Sequence, residues 1–293
     1  MGLLALGLCV ALGLYDDLLG TLRGGTALLS VGGVTVAGVL AAVLRQRGEA
    51  ELASVRSIAA VAQRVLLRPV PRGAGQLRVA VSYASAMAEA RIGGDLYEVV
   101  TSPSGVRVIV GDVQGKGLEA VETAAVVLGA FREAAYDEPD LVGVGERIER
   151  ALARHLSGEE FVTAVLAEVG DRPRVTLLNY GHPRRSGCGR TARWCTGARP
   201  GGRCRSARRA RRRAARPYEV PFGRGDQLLF YTDGVSEARG PGGHFYPLDD
   251  RAALLKEPDP ESALAAVRQD LMEHVAGPSQ DDAAMLLLRH RDW

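Results

Sequence analysis

Four short acidic patches lie at the ends of apolar runs or in glycine-rich turns: Gly93-Gly94-Asp95, Gly111-Asp112-Val113, Thr232-Asp233-Gly234 and Asp281-Asp282. Glycine beside a carboxylate lets the backbone turn sharply and lets a ligand come close. Carboxylates gathered from segments so far apart in the chain repel one another unless a cation neutralises them. Hard divalent ions take oxygen ligands, and Mg²⁺ or Mn²⁺ keeps part of its water shell in octahedral geometry. Two such ions side by side can activate a water and clamp a phosphoryl group. No strong His or Cys pattern competes for a metal. The residues point to metal-assisted phosphoester hydrolysis at a carboxylate site. Each patch alone is an ordinary turn signal, and the weight lies in the four together.

In order, the segments RIGGDLYEVV, GDVQGKGLEA, FVTAVLAEV, NYGHP, LLFYTDGVSEAR and DDAAMLLL resemble the metal-dependent protein phosphatases (PPM), in particular their SpoIIE/RsbU branch. The resemblance runs from about Val61 to Arg289 with one gap, and AQRVLLRPVP resembles the lead-in helix of that branch. It implies an α/β (α+β) fold, the PPM-type αββα sandwich of two antiparallel sheets flanked by helices. It also implies two Mn²⁺ or Mg²⁺ ions at one end. The implied ligands are Asp95, Asp112, the backbone carbonyl of Val113, Asp233 and Asp281, with Asp282 the lesser candidate of its pair. The four aspartates would act through metal-bound water, with no covalent phosphoenzyme. The implied substrates are phosphoserine and phosphothreonine proteins, typically phosphorylated anti-sigma-factor antagonists. Glu98 stands where the family often has Asp, and Gln114 fills a variable position. Lys116 lies in a GKG turn that is not a P-loop, because the GxxxxGK[ST] spacing is absent. His182 in NYGHP is expected to mark a turn rather than act in chemistry.

The elements that must position these residues alternate along the chain. Leu77–Tyr83, Val106–Val110, Phe161–Glu168, Arg174–Asn179, Gln227–Tyr231 and Ala283–Leu288 read as strands, and Leu118–Tyr136, Val142–His155 and Ser262–His274 as helices. Ahead of them, Thr26–Leu44 has 19 uncharged residues followed at once by Arg45 and Arg47, the pattern of a transmembrane helix with a cytoplasmic flank. Met1–Leu14 is apolar but short for a span. Without a basic n-region it is not a secretory signal, and it is expected to be a first span. The membrane anchor is thus placed at residues 1–44, with the catalytic domain cytoplasmic. A linker follows at 45–75, in which Gly48–Leu67 forms an amphipathic helix, a candidate signalling or dimerising element. The phosphatase domain is placed at 76–293.

With 293 residues, 46% of them apolar and 24% charged, the composition is globular. Four cysteines exclude a disulfide scaffold. The net charge of +3 conceals a segment: Arg184–Arg216 holds 13 arginines and no acid, and the remainder has 24 basic against 34 acidic residues. A nucleic-acid binder would spread its charge more widely, so no nucleic-acid partner is expected. Cys188, Cys195 and Cys204 lack the short pairing of zinc sites. The window shows no strand alternation, and the abrupt return to family-like sequence at PYEVPFGRGDQLLFYTDG is what two compensating frame changes in G+C-rich DNA would leave. The leading expectation is a membrane-tethered serine/threonine phosphatase. The alternative is a weak or inactive regulator that binds the same partner protein.

Overall fold

The computed structural model describes residues 22–84, 94–156, 161–181, 188–189, 192–194, 215–275 and 282–291. The chain divides into two units, Met1–Ser57 and Ile58–Trp293.

In the first unit the described residues belong to a single helix, α1 (Leu22–Leu66), whose last turns belong to the second unit. A membrane helix ending at Leu44 and a separate one beginning at Gly48 were expected; α1 runs through both. Glycine inside a helix costs only about 1 kcal/mol relative to alanine, and the Arg45–Glu49 ion pair (2.9 Å) spans the joint. Val34, Val36, Val39, Leu40 and Leu44 are exposed along this stretch. Among the described residues no helix is long and apolar enough to cross a membrane, so the transmembrane helix expected over Thr26–Leu44 is not found among them. The first span expected over Met1–Leu14 lies outside the described residues.

The second unit is a two-sheet sandwich. Its strands are β1 (Gly73–Ala74), β2 (Leu77–Ala84), β3 (Leu96–Ser102), β4 (Gly105–Val113), β5 (Val162–Val169), β6 (Arg174–Tyr180), β7 (Cys188–Gly189), β8 (Ala192–Trp194), β9 (Tyr218–Pro221), β10 (Gln227–Tyr231) and β11 (Ala283–His290). One sheet has the order β1-β2-β11-β10-β8-β7 and the other β3-β4-β5-β6-β9. The second is antiparallel throughout. The first departs from the expected all-antiparallel pattern at one pair, β10 with β8, which run parallel (Leu228↔Arg193, Leu229↔Trp194). That pair gives part of Arg184–Arg216 a place in the sheet, although the window shows no strand alternation in sequence. Backbone pairing needs no particular side chains, so an arginine-rich segment can supply it.

Helices α2 (Leu118–Asp137) and α3 (Leu141–His155) cover the five-stranded sheet, and α5 (Pro260–Val275) covers the six-stranded one. In α2, Ala120, Ala124, Val127, Leu128, Phe131 and Ala135 recur at helical spacing and are buried. Asp140 caps α3 by accepting the Gly143 amide at 2.8 Å. Strand β11 is apolar on both faces because both are covered. Leu286 and Leu288 enter the inter-sheet core with Val79, Val108 and Phe230, while Met285 and Leu287 pack outward with Leu264 and Val267 of α5. Fully buried Arg107 joins β4 to the end of α2: Nε binds Glu168 at 2.7 Å and Nη1 donates to the carbonyls of Ala135 and Glu138. It thereby serves helix carbonyls that have no partner within the helix.

Candidate metal centre at one end of the sandwich

Strands β3 and β4 pair in antiparallel register with Leu96 opposite Gly111. One further step sets Asp95, just before β3, opposite Asp112, the penultimate residue of β4. In the other sheet, β10 ends at Tyr231 and β11 begins at Ala283 as its antiparallel neighbour. Asp233, the first residue of the four-residue helix α4 (Asp233–Ser236), therefore lies at the same sheet end as Asp282.

Two glycines permit this convergence. A Cβ on Gly94 would collide with the carbonyl oxygen and Cβ of Val113, whose amide donates to the Gly94 carbonyl at 3.1 Å. A Cβ on Gly234 would collide with the backbone carbonyl of Asp282. The motif glycines are thus required by close backbone approach between the segments that carry the carboxylates.

The two sheet ends are tied together by Thr232. Its hydroxyl donates to Asp95 Oδ2 at 2.8 Å and accepts the Ala284 amide at 2.9 Å. Its own amide donates to the Ala284 carbonyl at 3.0 Å. Asp95 and Asp282 are each only 3% exposed. Burial pushes the Asp95 carboxyl well above the ordinary carboxylate range, and the charges of Asp112, Asp282 and Asp233 push it the same way, against the Thr232 hydrogen bond. The charges of Asp112, Asp282 and Asp233 are thus close enough to be felt at Asp95. Tyr83 donates to Asp282 Oδ2 at 2.8 Å and accepts from Gln63 Nε2 at 2.9 Å.

Asp95, Asp112 and Asp233, all predicted from sequence, are therefore brought to one place. Val113 is buried beside Gly94. Asp281 lies outside the described residues, as does His182. Asp282, ranked below Asp281 on sequence, sits among the cluster's charges. Glu98 is bonded to Arg132 at 2.7 Å, which agrees with its place outside the expected ligand set. Lys116 is exposed in its turn. Tyr83 and Gln63 were not singled out from sequence, and Thr232 was named only as the first residue of its acidic motif, with no role assigned. Their one sign is polarity amid apolar neighbours, as with Gln63 among Ala59, Ala62 and Leu66.

The donor set fits a hard divalent cation. It consists of acceptor-only carboxylates, three of whose charges act on buried Asp95, a repulsion that a cation relieves. Among the described residues, no three His, Cys, Asp or Glu stand close enough to hold one ion ready-made.

The family model of Stage II sporulation protein E (SpoIIE) matches residues 102–291. No match was found among curated proteins. Among solved structures, the chain is similar to the SiaA-PP2C domain of Pseudomonas aeruginosa, with a TM-score of 0.60 and 21% identity over 85% of this chain and 99% of that one. It is similar to the RsbU and RsbW domains of a Mycobacterium tuberculosis protein, with a TM-score of 0.57 and 19% identity over 74% of this chain. The chain spans 60% of that protein's length. It is also similar to RsbX in complex with magnesium, with a TM-score of 0.53 and 17% identity over 74% of this chain and 96% of that one. At these identities the structures establish a shared fold.

Proposed function

The chain belongs to the SpoIIE family of PP2C-type phosphatase domains, and from that premise we propose that it is a metal-dependent serine/threonine protein phosphatase. The observation that carries this reading is the convergence of Asp95, Asp112, Asp233 and Asp282 from four segments of two sheets onto one end of the sandwich. Asp95, Asp112, Asp233 and Asp281, with the Val113 carbonyl, would hold two Mn²⁺ or Mg²⁺ ions. When bound, such ions supply an activated water and Lewis-acid stabilisation of the phosphoryl oxygens. Thr232 fixes the orientation of Asp95 across the two sheets. Gly94 and Gly234 let the ligand-bearing backbones approach. Asp112 and Asp233 are half-buried and so remain partly open to solvent.

The substrate class we propose is phosphoserine or phosphothreonine on a regulatory protein, an anti-sigma-factor antagonist being the leading candidate. The family and the likeness to a protein that joins RsbU and RsbW domains support it. We place the protein at the cell membrane with its catalytic domain cytoplasmic, supported by the exposed Val34, Val36, Val39 and Leu40 of α1; membrane fractionation tests this. A homodimer formed through α1 would show in sedimentation at micromolar concentration. The second reading is a regulator that binds the partner protein without turnover.

Phosphate release from a phosphoserine protein separates the two. The full chain with Mn²⁺, the same chain with chelator, and Asp233→Asn are compared. Metal-dependent release that the substitution abolishes supports the phosphatase. No release from folded wild-type protein supports the binding-only regulator.

A further inference from the structure

The hydrogen-bonded chain Gln63–Tyr83–Asp282 runs from α1 into the acidic cluster. Gln63 is 6% exposed and donates its amide to the Tyr83 oxygen. The single Tyr83 hydroxyl proton goes to Asp282 Oδ2. The ring of Tyr83 lies 6.4 Å from that of Tyr97 on β3, the strand that follows Asp95. A second tie reaches the same strand from the same helix end. Arg132 of α2 donates to the Leu66 carbonyl at 2.9 Å and binds Glu98 of β3 at 2.7 Å. Ala59 packs on Val121 of α2. The last turns of α1 thus hold both strands that carry buried carboxylates, β3 beside Asp95 and, through Tyr83 of β2, the start of β11.

We propose that Tyr83, anchored by Gln63, is a positioning residue that holds the Asp282 carboxylate within the cluster against repulsion from its neighbours. This rests on the metal-dependent reading above. Like charges drive a carboxylate outward when no cation is present, and a buried one that loses its donor turns away or takes a proton. A fixed donor keeps that charge in place, so the Asp282 carboxylate need not be brought back when a cation binds. Tyr83 touches no reacting group in this scheme, and its effect passes through Asp282.

The test is a Mn²⁺ titration of the full chain, read by the electron paramagnetic resonance of free Mn²⁺, which needs no turnover. Tyr83→Phe keeps the ring and removes the hydroxyl. It is expected to weaken Mn²⁺ binding about 10- to 100-fold, the usual range for groups that orient metal ligands. Excess Mn²⁺ is expected to restore kcat, with KM for the phosphoprotein unchanged. Gln63→Leu, which leaves Tyr83 in place, is expected to shift affinity in the same direction by less, and it decides the matter should Tyr83→Phe fail to fold. Wild-type Mn²⁺ affinity in folded Tyr83→Phe overturns the proposal, as does a kcat loss that no Mn²⁺ concentration restores. Wild-type chain that binds Mn²⁺ but releases no phosphate removes the phosphatase reading alone, and the titration still decides on Tyr83. Wild-type chain that binds no Mn²⁺ overturns both.

Discussion

The Thr232 hydroxyl donates to Asp95 Oδ2 at 2.8 Å while accepting the Ala284 amide at 2.9 Å, so one buried side chain joins the ends of two sheets. Thr232 is fully buried, where an unpaired donor carries its whole desolvation cost. Thr232→Val keeps the shape, strands the Ala284 amide and removes the donor to Asp95. It is expected to lower stability by about 1–3 kcal/mol, read as a lower urea midpoint in chelator. Thr232→Ser retains both hydrogen bonds and is expected to lose less than the valine variant. Equal midpoints for valine and wild type would remove Thr232 from this role.

Asp95 makes stability depend on pH. Its folded-state carboxyl is held well above the ordinary carboxylate range, chiefly through burial and then through the charges of Asp112, Asp282 and Asp233. The folded chain therefore keeps a proton on Asp95 to higher pH than the unfolded chain. The resulting stabilisation is present at low pH and is lost as pH rises above about 4. In chelator, Asp95→Asn is expected to gain on wild type steadily as pH climbs through that range. Saturating Mn²⁺ is expected to reverse the order, because only wild type gains binding energy from the ion. A pH-independent difference in chelator would contradict the assignment.

Much of this was legible in the sequence. Ala283–Leu288 reads as a strand because an apolar run this short and this unbroken needs cover on both faces, and the structure supplies it. Strand β3 escaped notice because LYEVVTS places Glu98 and Thr101 within the run, and Glu98 is made tolerable by Arg132. The acidic motifs named Asp95, Asp112 and Asp233 because glycine marks close approach. Thr232 and Tyr83 could not be read this way. Their partners lie 137 and 199 residues away in sequence, and one hydroxyl leaves no periodic trace. The continuity of α1 was missed because Arg45 and Gly48 look like a boundary, although neither stops a helix. The pairing of β8 with β10 runs through backbone groups and is indifferent to the arginines around it.

Gly234 and Gly129 give opposite expectations for one substitution. An alanine Cβ at Gly234 would strike the Asp282 carbonyl, so β11 or α4 must move. Gly234→Ala is expected to cost about 1–3 kcal/mol and to weaken Mn²⁺ binding, since the displaced backbone carries Asp282. At Gly129, on the exposed face of α2, nothing lies within 4 Å of the added Cβ. Gly129→Ala is expected to gain about 0.4–1 kcal/mol through lower unfolded-state entropy, with Mn²⁺ affinity unchanged. Urea unfolding and Mn²⁺ titration of the pair check both. Similar losses in the two variants would mean that general packing, rather than the Gly234 contact, sets the result.

Asp281 and Asp282 compete for the role of ligand, and asparagine at each position separates them. The family resemblance assigns the ion to Asp281. Asp282 is buried, is felt by Asp95 and accepts from Tyr83. An asparagine at 282 keeps an oxygen for the Tyr83 hydroxyl and removes only the charge, so the geometry of the cluster survives. Asp282→Asn is therefore expected to retain metal-dependent phosphate release with weakened Mn²⁺ affinity. Asp281→Asn, which replaces a charged ligand by a neutral one, is expected to fall to the chelator background. The opposite ranking would move the ligand to Asp282, with Tyr83 then bonded directly to a metal ligand. The Tyr83→Phe effect on Mn²⁺ affinity should in that case stay smaller than the Asp282→Asn effect, because it removes a hydrogen bond to the ligand rather than the ligand's charge.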